Sequence, residues 1–209
     1  MKTLAIVGAG DLGQQIAHYA LSDNHYDKVV FFDDYVNDKI VNGIPVLGKL
    51  NTLKESFEEK KFDELILGIG YKHLKIRKEL YDLYFKDIPF GKIIHSTSWV
   101  DPTAIVEKGT VIYPGCVIDA KATIGANIIM NIACSIAHDA EIGKHCFLSP
   151  SVAIAGFVKI NECCFIGINS TIIDNINIIA NTFLGGGAVV IKSIDKKGLY
   201  VGNPAKFIR

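Results

Sequence analysis

The sequence predicts two domains of different class, a small α/β unit followed by a parallel β-helix. Three observations carry this expectation. Up to about Pro89, short β-branched runs alternate with segments of helical character. From Ala104, an aliphatic residue recurs at every sixth position without exception. The glycine pattern G-x-G-x-x-G sits directly behind the first apolar run, where an α/β unit turns from strand to helix.

In the first part, TLAIVG, KVVFFDD and FDELILGIG read as strands, and 11–22, 50–60 and 72–86 read as helices. The last helix sets Leu74, Ile76, Leu80, Leu83 and Tyr84 among Lys, Arg and Glu. Strands separated by helices imply a parallel sheet. About three such units fit, so a half-size Rossmann-like domain is expected. FGKIIHSTSWVDPTA then leads out through a last strand and a proline turn.

The second part is read in sixes. The third place holds Val106, Ile112, Ile118, Ile124, Met130, Ile136, Ile142 and Leu148, and continues as Ile154, Ile160, Ile166, Ile172, Ile178, Leu184 and Val190. The first place is mostly Ala, Thr, Cys, Ser or Val. One obligatory aliphatic and one small residue per six is the pattern of a parallel β-helix. Each hexad forms one face and a corner, and three faces close a coil. Residues 18 apart therefore stack at strand spacing, roughly 4.8 Å. Gly109, Gly115, Asn127, Asn169, Asn175 and Asn181 fall at the corners, where a positive φ is expected.

Bulk properties exclude several classes. Of the 209 residues, 49% are apolar and 21% charged, which suits a folded globule and not a disordered chain. Lys plus Arg and Asp plus Glu are equal at 22 each, so no overall field draws in nucleic acid or an anionic membrane. Asp11 interrupts the apolar start MKTLAIVGAG too early for a signal peptide, and no apolar run reaches spanning length. Five cysteines without C-x-x-C spacing fit a reduced, cytoplasmic chain. Cys116, Cys134, Cys146 and Cys164 take the small first place and Cys163 a corner, so no catalytic thiol is expected.

The chemistry is expected in the β-helix. His138 occupies a turn position and Asp139 follows it, a pairing suited to proton abstraction. Eighteen residues on stands Gly156, which leaves a backbone N–H uncovered one coil away as a donor to a carbonyl oxygen. His145 is the other histidine of this half, and two histidines fall short of the three ligands a catalytic zinc needs, so no metal is expected. His18, His25, His73 and His95 show no partnering pattern and read as surface or edge residues.

SIAHDAEIG, Gly156, FIGINS, LGGGAVV and GLYVGNPAKFIR resemble the left-handed β-helix acyltransferases. IVGAGDLG, VVFFDDYV, GIPVLG and IIHSTSWVDPTA narrow the resemblance to the PglD/NeuD-like sugar acetyltransferases. It implies a Rossmann-like sugar-nucleotide-binding domain over 1–98, a left-handed β-helix over 99–209, and a homotrimer with active sites between subunits. It also implies acetyl-CoA as co-substrate and the amine of a nucleotide-linked 4-amino-4,6-dideoxy sugar as acceptor. His138 would be the general base and Asp139 its orienting partner. Gly156 would bind the thioester carbonyl, with Ile168, Gly186, Pro204 and Lys206 lining coenzyme A and Asn131 contacting the acceptor. Gly8, Gly10, Gly13, Asp33, Asp34 and Gly70 would receive the sugar nucleotide. Two departures stand out: Phe147 occupies a place where relatives often have histidine, and Gly10-Asp11-Leu12 replaces their Ser-Gly-His. The alternatives are O-acetylation of a sugar such as a sialic acid, or a NAD-binding sensor on a β-helical scaffold.

Overall fold

The computed structural model describes residues 1–209, which divide into two compact units, Met1–Ile93 and Ile94–Arg209. The family resemblance implies a boundary at 98/99, and the compact units meet five residues earlier, at 93/94.

The first unit is a five-stranded sheet in the order β3-β4-β2-β1-β5. It comprises β1 (Thr3–Val7), α1 (Asp11–Ser22), β2 (Lys28–Phe32), β3 (Ile40–Val41), β4 (Ile44–Gly48), α2 (Leu53–Glu58), β5 (Glu64–Leu67) and α3 (Leu74–Tyr84). β4, β2, β1 and β5 run parallel, and β3 pairs antiparallel with β4. Leu4, Ile6, Phe31 and Ile66 are buried, as expected of strands covered on both faces.

Three expectations need adjusting here. GIPVLG contributes a strand, because Pro45 lies where β4 faces only the two-residue edge strand β3. The helices expected over 50–60 and 72–86 each open with a tight 3₁₀ turn, Leu50–Thr52 and Tyr71–His73, and are shorter. The buried face of α3 is Leu74, Arg77, Tyr81 and Tyr84, while Ile76 and Leu83 are exposed.

The second unit is a left-handed parallel β-helix. Seventeen two-residue strands, from Ile93–Ile94 to Val189–Val190, stack into three parallel faces. The six-residue repeat thus begins earlier than Ala104, since Ile93–Ile94 and Trp99–Val100 are already rungs paired with residues 18 further on. The interior is the column of third-place aliphatics, buried from Ile112 to Val190.

The first place does more than save space. Its hydroxyl or thiol donates to the carbonyl 15 residues on, as in Thr110 to Gly125, Cys116 to Asn131, Cys146 to Asn161 and Ser170 to Gly185. A small side chain with a donor therefore satisfies a carbonyl at the tight corner. Burial holds the Cys146 thiol well above its ordinary pKa, which fits a filler and not a nucleophile.

The sixth place of every hexad from Gly109 to Gly187 is left-handed, with φ between +55° and +78°. In this conformation the sixth-place N–H reaches the fifth-place carbonyl of the preceding coil, as Asn127 does to Lys108 and His145 to Ala126. Glycine and asparagine suit such corners, and other residues there oppose folding by roughly 1–2 kcal/mol each. The last coil ends in a hairpin, Leu199–Val201 with Lys206–Phe207, which covers the Phe183–Leu184 rung. No helix is long and apolar enough to cross a membrane.

Candidate active site

The β-helix ladder uses the N–H groups of the second, third, fourth and sixth places of a hexad. Ala153, Ala155 and Phe157 donate to Ser170, Ile172 and His138 respectively. The fifth-place N–H is left over, and for Gly156 no protein atom accepts it although the residue is buried. His138, also a fifth-place residue, lies one coil before it. A Cβ on Gly156 would stand 2.8 Å from His138 Cε1 and 2.9 Å from Nε2, so the imidazole occupies the space the glycine leaves open.

His138 Nδ1 donates to Asp139 Oδ2 at 3.0 Å. That bond leaves Nε2 with its lone pair free, and the side chain is half exposed. Asp139 reaches back to the residue before it because it holds a left-handed corner, φ +57°. Beside this group lies an open hollow of about 330 Å³, lined by Ser135, Ala153, Ala155, Thr171 and Asp174. The small outward residues of that face leave the room. His138, Asp139 and Gly156 are therefore brought together, with a proton acceptor and an unsatisfied donor within one coil of each other.

Ile168 and Gly186 repeat the stacking of His138 on Gly156. Both are fifth-place residues, and a Cβ on Gly186 would come 3.0 Å from Ile168 Cγ2. Pro204 and Lys206 lie on the terminal hairpin, Pro204 in a separate cleft of about 220 Å³ with Ile191, Lys192 and Tyr200. Asn131 donates one side-chain amide hydrogen to the Leu148 carbonyl at 2.9 Å, as Asn161 does to Ile178, which leaves its Oδ1 and second amide hydrogen for a ligand. His145 is buried, with Asn127 Nδ2 donating to its Nδ1 at 3.0 Å.

In the first unit a cavity of about 400 Å³ opens at the C-terminal ends of β1, β2 and β5. Ligands of open parallel sheets bind at such a place. Val7, Gly8, Asp33, Asp34 and Tyr35 form one side, and Leu50, Ile69, His73, Ile76 and Leu80 the other. Of the residues expected here, Gly8, Asp33 and Asp34 line the cavity, while Gly10, Gly13 and Gly70 do not. The Gly8 N–H donates to Phe32 and the Ala9 N–H to Asp33, so neither is open to a phosphate. The uncommitted donors are those of the first turn of α1, behind its cap Gly10.

Gly8, with φ +102°, and Gly13 serve close packing. A Cβ on Gly13 would stand 1.9 Å from the Gly8 carbonyl oxygen. Gly68, which lies outside the G-x-G-x-x-G pattern, completes the contact, since its own Cβ would fall 2.8 Å from the Gly13 Cα. Asp33 accepts three backbone N–H groups, from Ala9, Tyr35 and Val36. Burial works against its charge, but these bonds outweigh it and hold the carboxyl below its usual pKa. Asp33 thus organises the loops around the cavity. Asp34 spends one oxygen on the Leu50 N–H and keeps the other.

Residues 3–83 match the PglD N-terminal domain family. A search of curated proteins by sequence gave no match. Among solved structures, the acetyltransferase domain of PglB from Neisseria gonorrhoeae is 27% identical, with a TM-score of 0.92 and full coverage of both chains. PerB from Caulobacter crescentus, in complex with CoA and GDP-perosamine, is 27% identical over all of this chain and 98% of its own, with a TM-score of 0.90. WeeI from Acinetobacter baumannii shares the fold at 23% identity over the full length of both, with a TM-score of 0.86.

The first unit thus matches the PglD N-terminal domain family, and the whole chain is similar in fold and sequence to sugar acetyltransferases. The sequence signals for His138, Asp139 and Gly156 are positional and lie in the 18-residue stack. His73, Ile76 and Leu80 went unrecognised as cavity residues. The available signal was that the apolar residues of α3 exceed what one buried stripe needs.

Proposed function

We propose that this chain transfers the acetyl group of acetyl-CoA to the amine of a nucleotide-linked 4-amino-4,6-dideoxy sugar. The observation that carries the reading is the imidazole of His138, held by Asp139, stacked on a glycine whose buried N–H lacks an acceptor. An unsatisfied buried donor costs free energy unless a ligand oxygen takes it up, which fits the carbonyl of a thioester.

In the step proposed, the acceptor amine attacks the thioester carbonyl carbon while His138 Nε2 takes its proton. The Gly156 N–H stabilises the oxyanion. The C–S bond then breaks, and the imidazolium returns the proton to the leaving thiolate. Asp139 keeps the ring in the tautomer that leaves Nε2 unprotonated. The cysteines, the strongest nucleophiles of the coil, are buried in its core, which favours direct transfer. Ile168 and Gly186 offer a second uncovered backbone stretch five hexads along, and Pro204 and Lys206 are assigned to the coenzyme from the terminal hairpin. In the first unit, Asp34 and the apolar wall would take the nucleoside, and the first turn of α1 would take its phosphates.

A nitrogen acceptor is favoured by the similarity to PerB, whose solved complex holds GDP-perosamine, and to a perosamine N-acetyltransferase of 26% identity. The deciding assay follows CoA release from acetyl-CoA with UDP- and dTDP-linked 4-amino sugars, GDP-perosamine and free sialic acid. Turnover with one amino sugar nucleotide supports the reading, and turnover with sialic acid alone replaces it by O-acetylation. His138→Ala is expected to lower kcat by about 100-fold or more, and an unchanged rate would remove His138 from the mechanism. A homotrimer is proposed for solution, to be checked by light scattering as a mass near three times 22.9 kDa.

A further inference from the structure

The fourteen left-handed corners of the β-helix hold glycine, asparagine, small residues, a lysine, an aspartate, a histidine and one phenylalanine, Phe157, at φ +59°. Its neighbours in the same column one coil to either side are Asp139 and Asn175, residue types that tolerate this conformation. A bulky side chain there is an outlier that needs a reason. Burial does not supply it, because Phe157 is 51% exposed. The ring instead lies against His138, with centroids 5.2 Å apart and planes at 85°. The Phe157 N–H also donates to the His138 carbonyl at 3.2 Å, so the coil ladder ties the two residues together.

We propose that Phe157 is a positioning residue for the base. Three contacts surround the imidazole: Asp139 at Nδ1, Gly156 against the ring, and Phe157 edge-to-face on it. The first fixes the tautomer. The second leaves room for the ring without choosing its rotation. The aromatic contact removes the remaining freedom and aims Nε2, the one atom that no neighbour engages. The left-handed strain at residue 157 is the counterpart of that restraint, since a corner asparagine would fold the coil more easily and leave the imidazole free to swing. This inference rests on the assignment of His138 as the base.

Phe157→Asn and Phe157→Tyr test it, with two kinds of readout. Asparagine accepts the corner conformation, so Phe157→Asn should melt at or above the wild-type temperature. Its kcat should nevertheless fall by about 10- to 100-fold, with KM for acetyl-CoA unchanged. Phe157→Tyr keeps the ring and should restore kcat. Independently of any substrate, the ring protons of His138 in ¹³C-histidine-labelled protein, assigned with His138→Gln, should lose their ring-current shift in Phe157→Asn. A kcat unchanged in Phe157→Asn overturns the proposal, as does a rise in the acceptor KM alone, which would make Phe157 a wall of the acceptor pocket. Loss of kcat together with a lower melting temperature would mark the role as structural and also overturn it. If the wild type releases no CoA with any acceptor, the proposed function fails. The histidine spectra then still decide the contact, and unchanged shifts would refute it.

Discussion

Gly156 and Gly13 both resist a methyl group, for different reasons, and the contrast separates function from folding. At Gly156 the added Cβ meets the far end of the His138 side chain, 2.8–3.4 Å away, and φ there is not left-handed. The ring can yield and the backbone need not. Gly156→Ala is therefore expected to melt within about two degrees of the wild type, while kcat drops about 100-fold as Nε2 is displaced. A melting temperature that falls in step with the rate would show that the coil, and not the base, had moved. At Gly13 the obstacle is the Gly8 carbonyl itself, so alanine there should destabilise the first unit, by about 1–3 kcal/mol. Asp33 gives a residue-level prediction in pH. Its folded pKa is depressed, so its stabilising effect is complete above the unfolded value, about 3.9, and is lost as pH falls through the lower folded value. Asp33→Asn should flatten the acid limb of the stability curve and leave the loops around the cavity looser at pH 7. An acid limb identical to that of the wild type would show that the three N–H bonds do not set the charge.

Among the elements, α3 shows where periodicity reads correctly and where it misleads. The helix was legible from its apolar spacing, but the stripe that faces the sheet is Leu74, Arg77, Tyr81 and Tyr84, and not Ile76, Leu80 and Leu83. Periodicity counts apolar positions without distinguishing a core from a cavity wall, and Ile76 and Leu80 belong to the wall. Ile76→Ser should accordingly leave the melting temperature nearly unchanged, within about 0.5 kcal/mol of stability, and weaken nucleoside diphosphate binding about tenfold by calorimetry. A loss of stability without loss of binding would return Ile76 to the core. The coil was legible for the opposite reason. Its third place has one environment throughout, so fifteen hexads agree, and the 18-residue repeat alone places Gly156 beside His138. What stayed hidden depended on backbone direction: Phe157 on the imidazole follows from a positive corner φ, and the three donors to Asp33 from the path of two loops. Gly68 was invisible because its partner, Gly13, is distant in sequence.

Across the whole molecule, the two units carry separate kinds of orphan donor, and the proposed function gives each a different ligand. In Met1–Ile93 the donors include the N–H groups of the first turn of α1, which suit phosphate oxygens. In Ile94–Arg209 they are fifth-place N–H groups bared where a glycine stands, as at Gly156, which suits a carbonyl oxygen. Ligands that bind only the folded state slow local opening where they bind, by about 2.7 kcal/mol at a hundred times Kd. Hydrogen exchange read by mass spectrometry should therefore show GDP or UDP protecting peptides across 8–16 and 33–36. Acetyl-CoA should protect those across 154–158 and 184–188. Protection of the glycine turn by NAD, with no response of the coil to acetyl-CoA, would favour a dinucleotide sensor over an acetyltransferase. Protection of the coil by acetyl-CoA with no nucleotide response at the turn would leave the transfer chemistry standing. In that case Asp11, at the first position of α1, would be the residue to neutralise next, because its carboxylate opposes a phosphate on the donors around it.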